Sequence, residues 1–357
     1  MSTTKPFRKC DDGNGDAHSS RTASRRDRPT LETVAAQAGV SRATASRVVN
    51  GSTSVSIDIR DAVLRAIRTL DYVPNRVARG LVTQRMDSYA LILTESAGRI
   101  FAEDPFFATV VHGVVQELDT AGKELVLQMV GSERSRERIT DYALSGHVDG
   151  VMVVSIHGAD ELPQTLADKN LPVVVNGRPM GRSTVPYVDV ANADGARLAV
   201  RRLVGSGRRR IATIAGPQDA PGAVDRLAGY RAELRDSRRR PIVAVGNCTR
   251  ESGSSAMRRL LAKHPRLDAV FVASDLMAHG AVRVLRMSGR RVPDDVAVIG
   301  FDDTEVARYT DPPLTTVHLP IQDIGRTMAR QVLRIARGEP VEPSIVLGTE
   351  FVVREST

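Results

Sequence analysis

At 357 residues, 41% of them hydrophobic and 26% charged, the chain has length for two or three domains and an ordinary globular composition. No apolar run reaches the roughly 18 residues of a membrane-spanning helix, and the N-terminus has no apolar h-region, so neither a membrane protein nor an exported one is expected. The net charge of +8 is uneven: seven Lys or Arg against four Asp in residues 1–28, and eight Arg against five acids in 29–88, leave the rest near neutral. Such a basic end marks either a polyanion partner or a merely solvated tail.

Residues 1–28, rich in Ser, Arg, Asp and Gly without periodicity, read as a disordered basic extension. Thr30 then caps a helix with Leu31, Val34, Ala35 and Ala38 on one face. Gly39 ends that helix, Ser41 caps the next, and Asn50-Gly51 closes it near residue 49. Ala45, Val48 and Val49 are its apolar residues. A third helix follows Ser56, with Ile59, Val63, Ala66, Ile67 and Leu70 at helical spacing. Two short helices joined by a Gly turn and braced by a third form a helix-turn-helix over residues 29–73. Arg42, Ala43, Thr44, Ser46 and Arg47 supply its remaining face. Arg matches guanine N7 and O6, Ala43 can meet a thymine methyl, and Thr44 and Ser46 can reach phosphates. The bland alternative is an ordinary solvated helix face.

Beyond residue 88 the texture alternates. The segments "YALILT", "ELVLQMV", "DGVMVVSI", "LPVVVNG", "RIATIAG", "AVFVAS", "VAVIGFDD" and "TTVHL" read as strands between helical patterns such as Ala196, Ala199, Val200, Leu203 and Val204. This predicts an α/β core with parallel sheets covered by helices, in two lobes, with binding at the carboxyl ends of the strands. Cys10 and Cys248 have no metal or disulfide spacing, which suits a reducing cytoplasm. No Walker loop, HExxH, GxSxG or strand-borne GxGxxG occurs, so no enzyme, cofactor or metal is expected. His112, His147, His157, His264, His279 and His318 are scattered, and each reads as surface or core.

"TLETVAAQAGVSRATASRVVNG", "YVPNRVARGL", "RLAGY", "VASDLMAHGAVRVLR" and "GRRVPDDVAVIGFDDTEVARYTDPPLTTV" together resemble the lactose/galactose-repressor (LacI/GalR) family of bacterial transcription regulators across residues 29–357. The resemblance implies an N-terminal helix-turn-helix headpiece, a hinge over 74–87, and a two-lobed core over 88–357 like that of periplasmic sugar-binding proteins. Its first lobe would hold about 88–190 and 319–343, its second about 191–318 and 344–357. Arg42, Ala43 and Arg47 would then read bases, Ser41, Thr44, Ser46 and Asn50 stand at positions that mostly hold phosphates, and Thr30 belongs to the same DNA-binding set. Asn75, Arg79 and Leu81 of "NRVARGL" would approach the minor groove, with Leu81 as a wedge; a plain linker is the alternative. One headpiece reads a half-site, so a homodimer on a near-palindromic double-stranded operator is implied, without the leucine-rich tail that makes the lactose repressor a tetramer.

For the effector, the resemblance assigns Arg226, Ser274, Asp275 and Asp302 to the cleft. Phe101, Phe106 and Phe107 of "GRIFAEDPFF" offer aromatic faces that suit sugar rings, although a Phe pair at a helix start also serves a core. The expected protein is a cytoplasmic repressor answering to a mono- or oligosaccharide. A nucleobase or sugar phosphate as effector is the alternative, and a plain sugar-binding protein or an enzyme is the competing class.

Overall fold

Thr30 starts the first helix, α1 (Leu31–Ala38), through a reciprocal capping box with Thr33: each hydroxyl accepts the other residue's backbone N–H. Gly39 then adopts the left-handed conformation that closes the helix, with φ of 67°. Ser41 caps α2 (Arg42–Val49), its hydroxyl accepting the Thr44 N–H at 3.1 Å. The third helix is α3 (Ile57–Leu70). Val34, Ala35, Ala45, Val48, Val63 and Ala66 form the core of this unit. Val49, expected to join them, is only half-buried, because it lies one position past the buried Val48 and turns towards solvent. This computed structural model describes residues 29–52, 54–73, 85–95, 104–155, 157–158 and 160–357. The chain divides into two units, Met1–Gln84 and Arg85–Thr357. Among the described residues no helix is long and apolar enough to cross a membrane.

The second unit holds two parallel sheets. The first is built by β1 (Ser88–Leu93), β2 (Glu124–Met129), β3 (Gly150–Val154), β4 (Val173–Asn176), β5 (Tyr187–Val190) and β11 (Ser344–Leu347), in the order β11-β5-β4-β3-β1-β2. The second is built by β6 (Ile211–Ala215), β7 (Ile242–Val245), β8 (Ala269–Val272) and β9 (Ala297–Ile299), in the order β7-β6-β8-β9. A short antiparallel pair, β10 (Thr316–His318) with β12 (Glu350–Val352), completes the strands. Strand order reverses between β1 and β3 in one sheet and between β6 and β8 in the other. Those are the switch points at which crevices open beyond the carboxyl ends of parallel strands.

The expected boundary of the second lobe needs correction at residues 344–347. Instead of joining the second sheet, this segment adds β11 to the first, paired residue for residue with β5. Its register exposes Ser344 and Val346 and half-buries Ile345 and Leu347, as suits an edge strand.

The helices that cover these sheets are α4 (Pro105–Thr120), α5 (Glu133–Tyr142), α6 (Leu162–Asp168), α7 (Asn192–Gly205), α8 (Pro221–Asp236), α9 (Arg250–Lys263), α10 (Asp275–Met287), α11 (Glu305–Tyr309) and α12 (Ile321–Ala336). The predicted apolar face of α7 is buried at Ala196, Ala199, Val200 and Leu203, with Val204 half-buried. Three helix pairs close on backbone. A Cβ at Gly113 of α4 would run into the Gln322 carbonyl of α12, one at Gly229 of α8 into the Ala193 carbonyl of α7, and one at Gly253 of α9 into Met277 of α10. These contacts fix the helix N-termini, and hence the loops that follow each strand.

Candidate functional site

Helix α2 buries Ala45 and Val48 and leaves Arg42, Ala43, Arg47 and Asn50 exposed, with Thr44 and Ser46 half-buried. One face therefore faces solvent, and it carries two guanidinium groups within a turn and a half of helix. The Ser41 and Thr44 hydroxyls lie 2.8 Å apart, and the Asn50 amide donates to the Ser46 hydroxyl at 3.3 Å. The Arg42 guanidinium rests on Glu32 of α1 at 2.6 Å, with both side chains largely exposed. Water screens such a pair, so Arg42 can exchange Glu32 for an incoming phosphate or base. The Arg47 side chain has no hydrogen-bonded or ionic partner among the described residues. Thr30 is exposed but engaged in its capping box. Asn75, Arg79 and Leu81 lie outside the described residues.

In the second unit, the carboxyl ends of strands from both sheets converge on one cavity. From the first lobe its wall includes Phe106, Phe107, His157, Asn176 and Asp189; from the second it includes Arg226, Ser274 and Asp302, with Asn192 between. Arg226, on α8, is the hub. Its Nε donates to Asn192 Oδ1 at 2.8 Å, and its Nη1 donates to the Ala273 carbonyl at 2.6 Å and to Asp302 Oδ1 at 3.0 Å. The guanidinium also lies 3.9 Å from the Phe301 ring centroid, a cation–π contact that fixes its plane. Asn192 in turn donates to Asp189 Oδ1 at 3.0 Å. Burial pushes the Asp189 carboxyl up from its ordinary value, against the pull of the Val190 and Arg178 N–H groups. The result is a pre-oriented array of donors and acceptors, the kind of surface that matches vicinal hydroxyls.

Asp302 takes a φ of 107° and Asp303 a φ of 58°, a region costly for side chains with a Cβ. The strain is held by neighbours. Asp302 bonds through its backbone to Val317 and Leu319, while Asp303 binds Arg354 at 2.6 Å and faces His318 at 3.2 Å. This turns the Asp302 carboxylate towards Arg226 and away from its neighbour, so the two carboxylates do not converge on one point.

Of the other expected cleft residues, Ser274 caps α10 through the Met277 N–H and lines the cavity. Phe106 and Phe107 meet edge to face at 5.5 Å and both contribute to the wall, although Phe107 is almost wholly core. Phe101 lies outside the described residues. Asp275 departs from expectation. It is fully buried behind the wall, its carboxylate accepting the Thr316 hydroxyl at 2.7 Å and the Thr304 N–H at 2.9 Å. Burial, and then the charge of Asp302, raise its carboxyl well above the usual range. Asp275 therefore braces the strand end that presents Ser274 and Asp302.

His157, which the sequence reading assigned to surface or core, stands in the cavity wall. Its Nε2 lies 2.6 Å from Glu95, and its Nδ1 lies 3.2 Å from Asp219 of the opposite lobe. The hydrogen bond to Glu95 raises its pKa above the ordinary histidine value. The Gly158 N–H donates to the Asp219 carbonyl at 2.7 Å, and Arg178 meets Asp225 at 3.0 Å, so three contacts tie the lobes at the cleft. Asp189 and Asn192 were also not anticipated. The signal was present: "YVDVAN" places both at a strand end and helix start, the same position that singled out Ser274. Among the described residues no cluster of His, Cys, Asp or Glu is arranged to hold a metal ion.

Comparison with known proteins gives two family matches. Residues 30–75 match the profile of bacterial regulatory proteins of the lacI family, and residues 200–357 match a periplasmic binding protein-like domain. The HTH-type transcriptional regulator CelR of Thermobifida fusca is 50% identical over 338 residues, 93% of this chain and 99% of that protein. The ribose operon repressor of Halalkalibacterium halodurans is 33% identical over 331 residues, 92% of this chain and 97% of its own length. Among solved structures, a transcriptional regulator CelR–cellobiose complex matches with a TM-score of 0.74 at 48% identity, covering 92% of this chain and 100% of its own. A lac repressor dimer bound to operator and the anti-inducer ONPF matches with a TM-score of 0.83 at 30% identity, covering 92% and 99%.

Proposed function

The chain belongs to the lacI family of bacterial regulatory proteins, and on that premise we propose that it is a DNA-binding transcriptional repressor whose operator affinity is set by a sugar held in the cleft. The protein is not an enzyme. Its working form is a homodimer in the cytoplasm, on a near-palindromic operator. Arg42, Ala43 and Arg47 read base edges; Thr30, Ser41, Thr44, Ser46 and Asn50 hold the backbone. Asn75, Arg79 and Leu81 serve the hinge.

The observation that carries the effector assignment is the array centred on Arg226, joining Asn192, Asp189 and Asp302 beneath the Phe106 wall. Paired hydroxyls bridge such an array, and a ring face packs on the Phe. The relative solved with cellobiose shares 48% of its sequence with this chain, which directs the proposal to a glucose-based disaccharide. Sugar binding shifts the equilibrium between lobe arrangements only through differential affinity, and a 100-fold preference supplies about 2.7 kcal/mol.

Thermal unfolding of the purified protein against cellobiose, glucose, ribose, purine bases and sugar phosphates tests the assignment. At 100 times its dissociation constant a ligand of the folded state adds about 2.7 kcal/mol. A rise with cellobiose that also changes operator affinity is the expected result. A response confined to a nucleobase or a sugar phosphate would retain the regulator and replace its effector.

A further inference from the structure

The core is near neutral in sequence but not in space. Four turns precede the four strands of the second sheet: residues 206–210 before β6, 237–241 before β7, 264–268 before β8 and 288–296 before β9. They hold nine Arg against three Asp, +6, whereas residues 89–357 as a whole carry only +2. The charge is therefore concentrated at one sheet edge, and the rest of the core is acidic.

Hydrogen bonds join the four turns into a single surface. The Arg208 guanidinium donates to the Pro293 carbonyl at 2.7 Å and to the Asp268 and Asp294 carbonyls, Arg239 donates to the Arg208 carbonyl, and Arg290 donates to the Pro265 carbonyl at 2.6 Å. Two of the three acids are paired with Arg291, and Asp268 accepts the Arg209 and Arg210 backbone N–H groups. Left over are the side chains of Arg209, Arg210, Arg238, Arg240 and Arg266. All five residues are exposed, and their side chains make no hydrogen bond or ion pair with any described residue. They precede the adjacent strands β7, β6 and β8, and a strand spacing of about 4.8 Å places them along an edge of roughly 10 Å.

We propose that this arginine edge is a second DNA-binding surface, which holds the phosphate backbone of a duplex without sequence preference. Protein interfaces are centred on apolar or aromatic anchors, whereas among the described residues the large apolar side chains exposed near this edge are Met287, beside the last turn, and Val243, which is only 37% exposed. Phosphate-only contact needs cationic donors and no apolar anchor. The edge also sits at the amino ends of its strands, whereas the effector cavity lies at their carboxyl ends. A duplex bound there leaves the cleft open. Under this proposal the duplex is a second segment, separate from the one read by α2, so that the protein bridges two duplexes.

The test is a bridging assay on the full chain. One duplex is immobilised, protein is bound to it, and capture of a second, fluorescent duplex of unrelated sequence is measured. The wild type is compared with a variant carrying Arg209→Ser, Arg210→Ser, Arg240→Ser and Arg266→Ser, and with the corresponding fourfold Arg→Lys variant. Capture by the wild type and by the Lys variant, with loss in the Ser variant and unchanged binding of the immobilised duplex, is the expected result. If three phosphates are engaged, capture by the wild type falls roughly 40-fold between about 50 and about 200 mM salt. Equal capture by the Ser variant would assign bridging to the helix-turn-helix units and overturn the proposal. So would the absence of capture at low salt, or capture of polyglutamate in place of DNA. Binding to the immobilised duplex reports the helix-turn-helix separately.

Discussion

Replacing Arg226 with Met keeps much of the side chain's length and removes its charge, its three hydrogen bonds and its seat on Phe301. The carboxylate left behind, Asp302, is 16% exposed, so water cannot fully replace the lost partner. Breaking such a buried pair costs about 3–5 kcal/mol. For a unit of about 270 residues this corresponds to a fall of roughly 5–9 °C in the melting temperature of the core. Adding Asp302→Asn to the Met variant removes the stranded charge and should recover about 1–3 kcal/mol, since the two groups are in direct contact. Both variants should lose the sugar-induced rise in melting temperature while still binding operator DNA. Differential scanning calorimetry with and without cellobiose measures the melting temperatures, and fluorescence anisotropy on operator DNA measures the retained binding. A fall of less than about 2 °C, or a sugar response that survives in the Met variant, would refute the central place given to Arg226.

Arg47→Ala should weaken operator binding by about 1–3 kcal/mol and relax base preference at one position of each half-site, measured by fluorescence anisotropy on operator variants; an unchanged preference would remove Arg47 from base reading. Operator affinity should fall linearly with the logarithm of salt concentration, with a slope of about −0.9 per phosphate engaged, and a flat dependence would contradict the backbone contacts. His157 has its folded pKa raised by Glu95, so its contribution to stability is complete below the unfolded value near 6.5 and is lost as pH rises through the folded value. Melting curves of wild type and His157→Gln should accordingly differ most at about pH 6 and converge in alkali; a constant difference would exclude protonation of the Glu95–His157–Asp219 contact. Gly229→Val must force α8 away from the Ala193 carbonyl and should cost at least about 1–3 kcal/mol in a thermal melt, whereas no loss would mean that this helix pair has slack.

The helix-turn-helix could be read from sequence because its signals are local. Thr30, Gly39 and Ser41 act within three residues of themselves, and the apolar spacing of α1 to α3 lies along single helices. The named strand segments were legible for the same reason, as apolar runs between helical patterns. Two of the four edge strands of the parallel sheets were harder: "SIVL" and "IVAV" alternate exposed and half-buried residues and look like any surface stretch. The cleft was legible only in part. Arg226, Ser274 and Asp302 were found one by one, but their partner Asn192 comes from a helix between the lobes, and no spacing rule joins residues 34 and 76 positions apart. Asp275 shows the converse failure. It occupies a strand-end position typical of a ligand contact, and the rotation of one residue along α10 sends it into the core.

The return of β11 to the first sheet has a consequence for how the protein is made. No continuous segment encodes that sheet, because β5 ends at Val190 and its neighbour starts at Ser344. Helix α12, whose Met328 and Val332 pack in the same core as Met152 and Val174, also comes late. At synthesis rates of about 5–20 residues per second, β5 and the face beneath α12 wait on the order of 8–30 s for their cover. During that interval the ribosome carries an open strand edge and an unroofed apolar sheet, while the second sheet, whose last strand β9 ends at Ile299, can already have formed. A chaperone that retains nascent chains beyond residue 190 would therefore guard the first lobe, and slow codons after that point would lengthen its exposure.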